Sequence, residues 1–250
     1  IKVGLLMAET EFNLPAYENL LKEFLEIGYQ VVPLGAVDSQ KKHLVLRHDL
    51  DMSIPAAIPM AEVEHDLGLA ATYFVLLRTE LYNPFSEANR KGLFSLMDLG
   101  HEIGLHFDAS LYEDDVGSLE KAVETECQVL ETLIQREVSI VSFHRPVKSL
   151  QGRQGPIAGR IQTYQSEFFN DIGYCSDSKG EWHFGTPLTN AAVRERRALQ
   201  LLTHPIWWTQ SGEDAIEKLN GYVENKDLAL RRELALNCEP YRKIFTPPMP

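Results

Sequence analysis

The sequence predicts an α/β fold built on a parallel β-sheet. Short apolar runs that favour strands alternate with amphipathic stretches that favour helices. Ionisable residues follow several of the apolar runs, as expected where parallel strands end at one edge of a sheet. With 250 residues the chain is long enough for one large α/β domain. We therefore expect a single domain over residues 1–250, with helical segments at both ends.

The elements alternate along the chain. Amphipathic spacing, with a glycine or a capping residue near several of the ends, predicts helices over residues 14–27, 53–68, 86–99 and 118–135. Compact apolar runs predict strands over residues 44–51, 71–77, 101–107, 138–144 and 199–203. Shorter apolar pieces at 29–34 and 172–176 favour minor strands, and 190–197 and 211–244 favour helices. Strand and helix in alternation indicate parallel β–α units.

Composition excludes some classes of function. The net charge of -12 and the isoelectric point near 5.1 argue against a nucleic-acid surface and against a polybasic membrane contact. An uncharged or cationic small substrate fits this charge more easily. No apolar run approaches the ~18 residues of a membrane span, and no signal sequence is recognisable. A cytoplasmic location is expected.

The segment LVLRHDLD, residues 44–51, brings two carboxylates to one strand end. In an extended chain, alternate side chains share a side, so Val45, Arg47, Asp49 and Asp51 face the same way. One interpretation is structural, with an aspartate that caps the next helix and an ion pair to Arg47. We favour a functional interpretation, because both carboxylates lie on one face of a buried strand.

Three further strand ends carry ionisable residues. A barrel or an open parallel sheet gathers such ends onto one rim, however far apart they lie in the sequence. Carboxylates together with imidazoles indicate a divalent metal with a carboxylate base beside it. The residues at the four strand ends are Asp49 and Asp51, His106 and Asp108, His144 and Arg145, and His204.

Several of these segments resemble motifs of the NodB-like polysaccharide deacetylases, carbohydrate esterase family 4. The matching segments lie between residues 44 and 208 and read RHDLD, ATYFVLL, GHEIGLHFD, SFHRP, SDS with a following Trp182, and LLTHP. The resemblance implies a distorted (β/α)7-type barrel. It also implies hydrolysis of an N-acetyl or O-acetyl group of a sugar, at a metal bound by one aspartate and two histidines, with zinc the expected metal.

The resemblance also implies roles for individual residues. Asp49 corresponds to the catalytic base and Asp51 to the aspartate that binds the metal. His106 matches the first metal histidine, and His204 resembles the general acid that protonates the leaving amine.

Three other residues are expected around this centre. Arg145 and Asp177 resemble the pair that positions the base. Trp207 has two interpretations, because an indole beside such a site can stack on a sugar ring or can pack in the core.

One position departs from the family pattern. The family places its second metal histidine four residues after the first, and that position is Ser110 here. His144 and Asp108 are the candidates for the third ligand. We prefer His144, because a neutral imidazole keeps the ligand set closest to that of the family.

The resulting functional hypothesis is a metal-dependent hydrolase that removes an acetyl group from an amino sugar or glycan precursor. One alternative is another C–N amide hydrolase on the same barrel, of the kind that opens small cyclic amides. The other is a catalytically silent barrel that binds a glycan or a partner protein. The silent barrel should contain no stoichiometric metal, whereas either enzyme should contain about one metal ion per chain.

Overall fold

The computed structural model of the protein describes residues 12–150 and 153–245. The chain groups into two compact units, Ile1–Thr209 and Gln210–Pro250. The first contains the sheet and every candidate site residue, and the second is helical. The organisation as a single domain stays a prediction. None of the helices in the described ranges is both long and apolar enough to cross a bilayer, and the cytoplasmic location also stays a prediction.

The strands of the described residues form one parallel sheet, as the sequence predicts. Their bounds are β1 Gln30–Val31, β2 His43–Leu50, β3 Thr72–Leu76, β4 Glu102–Phe107, β5 Ile140–Phe143, β6 Ile161–Gln162, β7 Gly173–Ser176 and β8 Leu199–Thr203. They are ordered β6-β5-β4-β3-β2-β8-β7, with β1 paired to β2. The curled sheet forms a half-barrel with flanking helices, which confirms the distorted (β/α)7 barrel. β6 and β7 lie at the two ends of this order.

The described residues of the first unit form seven helices. They are α1 Leu14–Glu26, α2 Ile58–Asp66, α3 Glu87–Asp98, α4 Val116–Ile134, α5 Ser166–Phe169, α6 Ala191–Arg194 and α7 Pro205–Thr209. Five of them match predicted helices, whereas α5 and α7 were not predicted. α2 begins later than predicted, because Pro55–Ala57 form a separate 3-10 turn before it. The second unit contains α8 Ala215–Asn237 and α9 Glu239–Arg242.

An apolar cluster fills the inside of the half-barrel. Its buried members are Leu34, Val45, Phe74, Ile140 and Phe168. The guanidinium of Arg47 lies 5.4 Å from the centre of the Phe74 ring. Arg47 and Asp49 therefore lie on the same side of the sheet as Val45, as the alternation of side chains along β2 predicts.

Gly104 on β4 makes room for this cluster. A Cβ atom at this position would lie 2.6 Å from the Phe74 ring and 3.0 Å from Ile140. Only glycine lets the β4 backbone approach Phe74 so closely.

The other side of β2 and β3 faces the helices. His48 Nε2 lies 2.7 Å from Glu64 of α2, and the Tyr73 hydroxyl donates to the same carboxylate at 2.7 Å. His101 Nδ1 is 3.6 Å from Glu64 and its Nε2 lies 3.0 Å from the carbonyl oxygen of Ala61. His48 and His101 therefore lie on the side of the sheet opposite Asp49.

Candidate active site

The carboxyl ends of β2, β4, β5 and β8 bring the predicted residues to one cavity. The cavity has a volume of about 310 Å³, at the lower end of the range for small-molecule sites. Asp49 and Asp51 come from β2 and the residue that follows it, and His106 comes from β4. His144 and His204 directly follow β5 and β8, and all five residues line the cavity.

Asp51, His106 and His144 form one compact group of ligand atoms in this cavity. Asp51 Oδ1 lies 3.1 Å from His106 Nε2 and 3.4 Å from His144 Nδ1. One ligand atom from each residue lies within 4.8 Å of the other two. A carboxylate oxygen and two imidazole nitrogens are ligands that zinc accepts.

The electrostatics of Asp51 fit a cation. Burial opposes its ionisation, but the close approach of His106 and His144 holds the pKa of Asp51 well below its usual range. The contact with Asp51 in turn raises the pKa of His144. Asp51 Oδ1 is nevertheless buried without a well-aligned hydrogen-bond donor among the described residues. A metal ion would supply the partner that this buried anionic oxygen lacks. The three residues therefore fit a divalent cation.

Ser142 orients His106 toward Asp51. It lies opposite His106 in the pairing of β4 with β5, and its Oγ is 2.6 Å from His106 Nδ1. The other ring nitrogen therefore faces Asp51. A hydrogen bond that fixes the distal nitrogen of a ligand histidine is common at metal sites. Ser142 was not predicted as a site residue, although it lies on β5 two residues before His144.

Asp49 is held by an arginine from its own strand. Arg47 Nε donates to Asp49 Oδ1 at 2.9 Å and Arg47 Nη2 donates to Oδ2 at 2.7 Å. Burial opposes ionisation of Asp49, but Arg47 and His106 lower its pKa below the usual value. Asp49 Oδ2 lies 3.5 Å from His106 Nε2, beside the proposed ligand group.

The partner of Asp49, the expected base, therefore differs from the one that the resemblance implies. The resemblance implied Arg145, but the Arg145 side chain is 63% exposed and its Nε lies 3.6 Å from Asp108. Arg47 occupies the expected place because β2 already directs it and Asp49 to the same side. The structural interpretation of residues 44–51 expected an ion pair to Arg47. This ion pair is present, and it lies at the cavity.

Asp177 holds His204, and this also differs from the expected pairing with the base. Asp177 follows β7 and is fully buried. Its Oδ1 lies 2.7 Å from His204 Nδ1, and its Oδ2 accepts from Trp208 Nε1 at 2.7 Å. Burial disfavours the charged ring, but Asp177 raises the pKa of His204 to about 9. The free Nε2 of His204 lies 3.7 Å from Asp51 Oδ2.

Asp108, the alternative third ligand, lies outside the ligand group. Its Oδ1 accepts from the backbone N–H of Ser110 at 3.1 Å and from the Ser110 hydroxyl at 2.6 Å. Its Oδ2 faces Arg145. Both oxygens are thus occupied at the turn after β4, and the geometry favours His144.

Aromatic side chains form part of the cavity wall. Trp207, expected at the site from the sequence, lines the cavity and is 4% exposed. Tyr164 and Tyr174 line it as well, and Tyr164 packs 5.4 Å from Phe143, between ring centres. Neither tyrosine was predicted as a site residue. Tyr164 follows β6, which the sequence did not predict, and Tyr174 lies within the predicted minor strand β7 rather than at its end.

Searches with the sequence alone find no relatives. No protein-family model matches the chain, and no curated protein does. Solved deacetylase structures are similar to it. A Streptococcus pyogenes deacetylase in complex with acetate is 12% identical, with 76% of this chain and 80% of that chain covered and a TM-score of 0.46. The chitin deacetylase of Colletotrichum lindemuthianum is 17% identical, with 78% and 88% covered and a TM-score of 0.45.

The solved structures that are similar to the chain thus include members of carbohydrate esterase family 4, the family that the sequence motifs resemble. One similar structure from that family is a pseudoenzyme of Bacillus anthracis. It is 14% identical, with 75% of this chain and 63% of that chain covered and a TM-score of 0.39.

Proposed function

We propose that the protein is a divergent member of the NodB-like deacetylases, a metal-dependent hydrolase that removes an acetyl group from an amino sugar or glycan precursor. The observation that carries the proposal is the group of Asp51, His106 and His144, with Asp49 and His204 beside it in one cavity. Such a group offers a metal site, a carboxylate base and an imidazole acid within reach of one small substrate.

Asp51, His106 and His144 would hold the metal, with zinc the best match to this ligand set. The chemistry supplied by a cation at this position, when bound, is Lewis-acid polarisation of the acetyl carbonyl and of the attacking water. Ser142 keeps His106 aligned through Nδ1, which leaves Nε2 for the metal.

Asp49 acts as the general base. Its lowered pKa keeps it ionised, and the two bonds from Arg47 fix its orientation. It accepts a proton from the water that attacks the acetyl carbon.

His204 acts as the general acid. Asp177 binds its Nδ1, so Nε2 is the nitrogen that delivers a proton. The proton goes to the sugar nitrogen as the C–N bond breaks, and the products are acetate and a free amine. With a pKa of about 9, His204 carries this proton at neutral pH.

The test is acetate release by the purified chain from N-acetylated and O-acetylated sugars, with metal content measured in parallel. We expect about one zinc ion per chain, loss of acetate release after chelation, and its recovery when zinc is returned. Acetate release that is indifferent to chelation contradicts the proposal. A chain that binds zinc at no measurable level and releases no acetate is the silent barrel.

A further inference from the structure

Lys179 stands at the candidate active site without an acidic partner. It lines the same cavity as Asp49 and Asp51. Among the described residues, Asp49 and Asp51 are the acidic residues that line the cavity. Asp49 pairs with Arg47, and Asp51 lies beside the imidazoles of His106 and His144. Lys179 is exposed, and in the described part of the chain it forms no ion pair. The cavity thus keeps one uncompensated positive charge.

The turn that carries Lys179 is held in place. Ser176 and His183 pair through their backbones on either side of it, and His183 Nε2 lies 2.7 Å from the Ser178 carbonyl oxygen. Asp177, two residues before Lys179, binds His204. The position of Lys179 is therefore tied to the proposed general acid.

The backbone at Lys179 suits glycine better than lysine. Its φ is 65° and its ψ is 17°, which is the left-handed region. A side chain is disfavoured there, and glycine adopts the conformation freely. The cavity wall thus carries a long cationic side chain at a position whose backbone glycine would fit better.

A second donor without a partner lies in the cavity wall. Trp207 is 4% exposed, and its Nε1 has no hydrogen-bond partner among the described residues. An indole N–H can only donate. An ammonium group at a cavity that lacks an acidic partner there favours a ligand with anionic or acceptor oxygens.

We propose that the sugar substrate carries an anionic group, a carboxylate or a phosphate, and that Lys179 binds it. The inference rests on the proposed function, since it adds a charge to the acetylated sugar expected at this site. It also replaces the expectation, drawn from the net charge of -12, that an uncharged or cationic substrate fits best. The charge of the whole chain does not determine the charge of its cavity.

The test measures binding without turnover, by calorimetry on the chelator-treated, metal-free chain, which should not release acetate. The ligands are N-acetylglucosamine, its 6-phosphate and its uronic acid. We expect one of the anionic sugars to bind at least about tenfold more tightly than the neutral one, as for a hydrogen bond to a charged group. Added salt should weaken this preference, because Lys179 is exposed.

Two variants remove the charge in different ways. Lys179→Met keeps the strained backbone, whereas Lys179→Gly relieves it and should leave Tm unchanged or higher. Both should bind anionic and neutral sugars about equally, and Lys179→Arg should keep the preference. Lys91→Met is the matched control, since Lys91 pairs with Glu87 on the outer helix α3.

The outcomes separate this inference from the proposed function. Equal binding of all three sugars, no binding of either anionic sugar, or a preference that survives both Lys179→Met and Lys179→Gly overturns the inference. A preference that depends on Lys179 in a chain that releases no acetate supports the inference and contradicts the proposed function.

Discussion

Arg47 and Asp49 form a two-point ion pair inside the half-barrel, from alternate positions of one strand. The two bonds measure 2.9 and 2.7 Å, and the side chains are only 6% and 4% exposed. Paired donors of this kind fix the plane of a carboxylate as well as its charge. Asp49 is therefore ionised and oriented before any substrate arrives.

Asp49→Asn should abolish acetate release while zinc remains bound. The amide cannot accept a proton from water, so we expect a loss of about 10²–10⁴-fold in kcat. Zinc per chain, measured by metal analysis, should stay at the wild-type level. Asp51→Asn and His106→Ala are the contrasting variants, and both should lose zinc. An active Asp49→Asn enzyme would refute the assignment of the base.

Arg47→Met should destabilise the fold by about 3–5 kcal/mol, because it leaves a buried carboxylate without its cation. The measurement is the free energy of unfolding from denaturant titration. Arg197→Met is the control, since Arg197 makes a similar pair with Glu195 two residues away, on the surface. The surface variant should lose at most about 1 kcal/mol. Equal losses in the two variants would contradict this prediction.

His144→Ala should weaken zinc binding, whereas Asp108→Ala should leave it unchanged. His144 Nδ1 faces Asp51, and both oxygens of Asp108 are occupied at the turn beyond β4. Competition with a chromogenic chelator gives the zinc affinity of each variant. If Asp108→Ala empties the site and His144→Ala does not, Asp108 is the third ligand.

The sequence was sufficient for every described strand except β6, and for the ionisable residues at the strand ends. The apolar run of β2 predicts a buried strand, and the period of two then places Asp49 and Asp51 on the side away from His48. The parallel sheet brings His106, His144 and His204 to the same rim.

The contacts between these residues could not be predicted in the same way. Arg145 and Arg47 both lie near strand ends, and only the three-dimensional path of the turn after β5 directs Arg145 toward Asp108. The segment 145–170 contains β6 and α5, which have 2 and 4 residues and are too short for a periodic pattern. Tyr164 and Lys179 reach the cavity through tertiary packing, for which local sequence carries no signal.

Gly104→Ala should destabilise the fold by about 1–3 kcal/mol, because its methyl group would overlap the Phe74 ring. Thermal unfolding followed by circular dichroism measures the effect. Gly117→Ala is the control, since the nearest atom to a Cβ there lies 3.4 Å away, on Asp115. That variant should be neutral or stabilising, because alanine favours a helix. A Gly104→Ala chain as stable as the wild type would show that Phe74 can move aside.

Asp177→Asn should lower the pKa of His204 from about 9. The carboxylate stabilises the protonated ring through the hydrogen bond to Nδ1, and an amide does not. The titration of His204 in the metal-free chain can be followed by NMR, with His204→Gln to assign its signal. An unchanged pKa in Asp177→Asn would show that Asp51 and Asp49 alone hold the charge.

The raised pKa of His204 determines how stability and activity change with pH. The pKa of His204 is higher in the folded chain than the ordinary 6.5. Its stabilising contribution is therefore complete below about pH 6.5 and is lost as the pH rises through about 9. Acetate release should fall over the upper part of this range, because the acid loses its proton. In Asp177→Asn, the fall in acetate release should begin at lower pH. The loss of acetate release in acid, where Asp49 becomes protonated, should occur at the same pH as in the wild type.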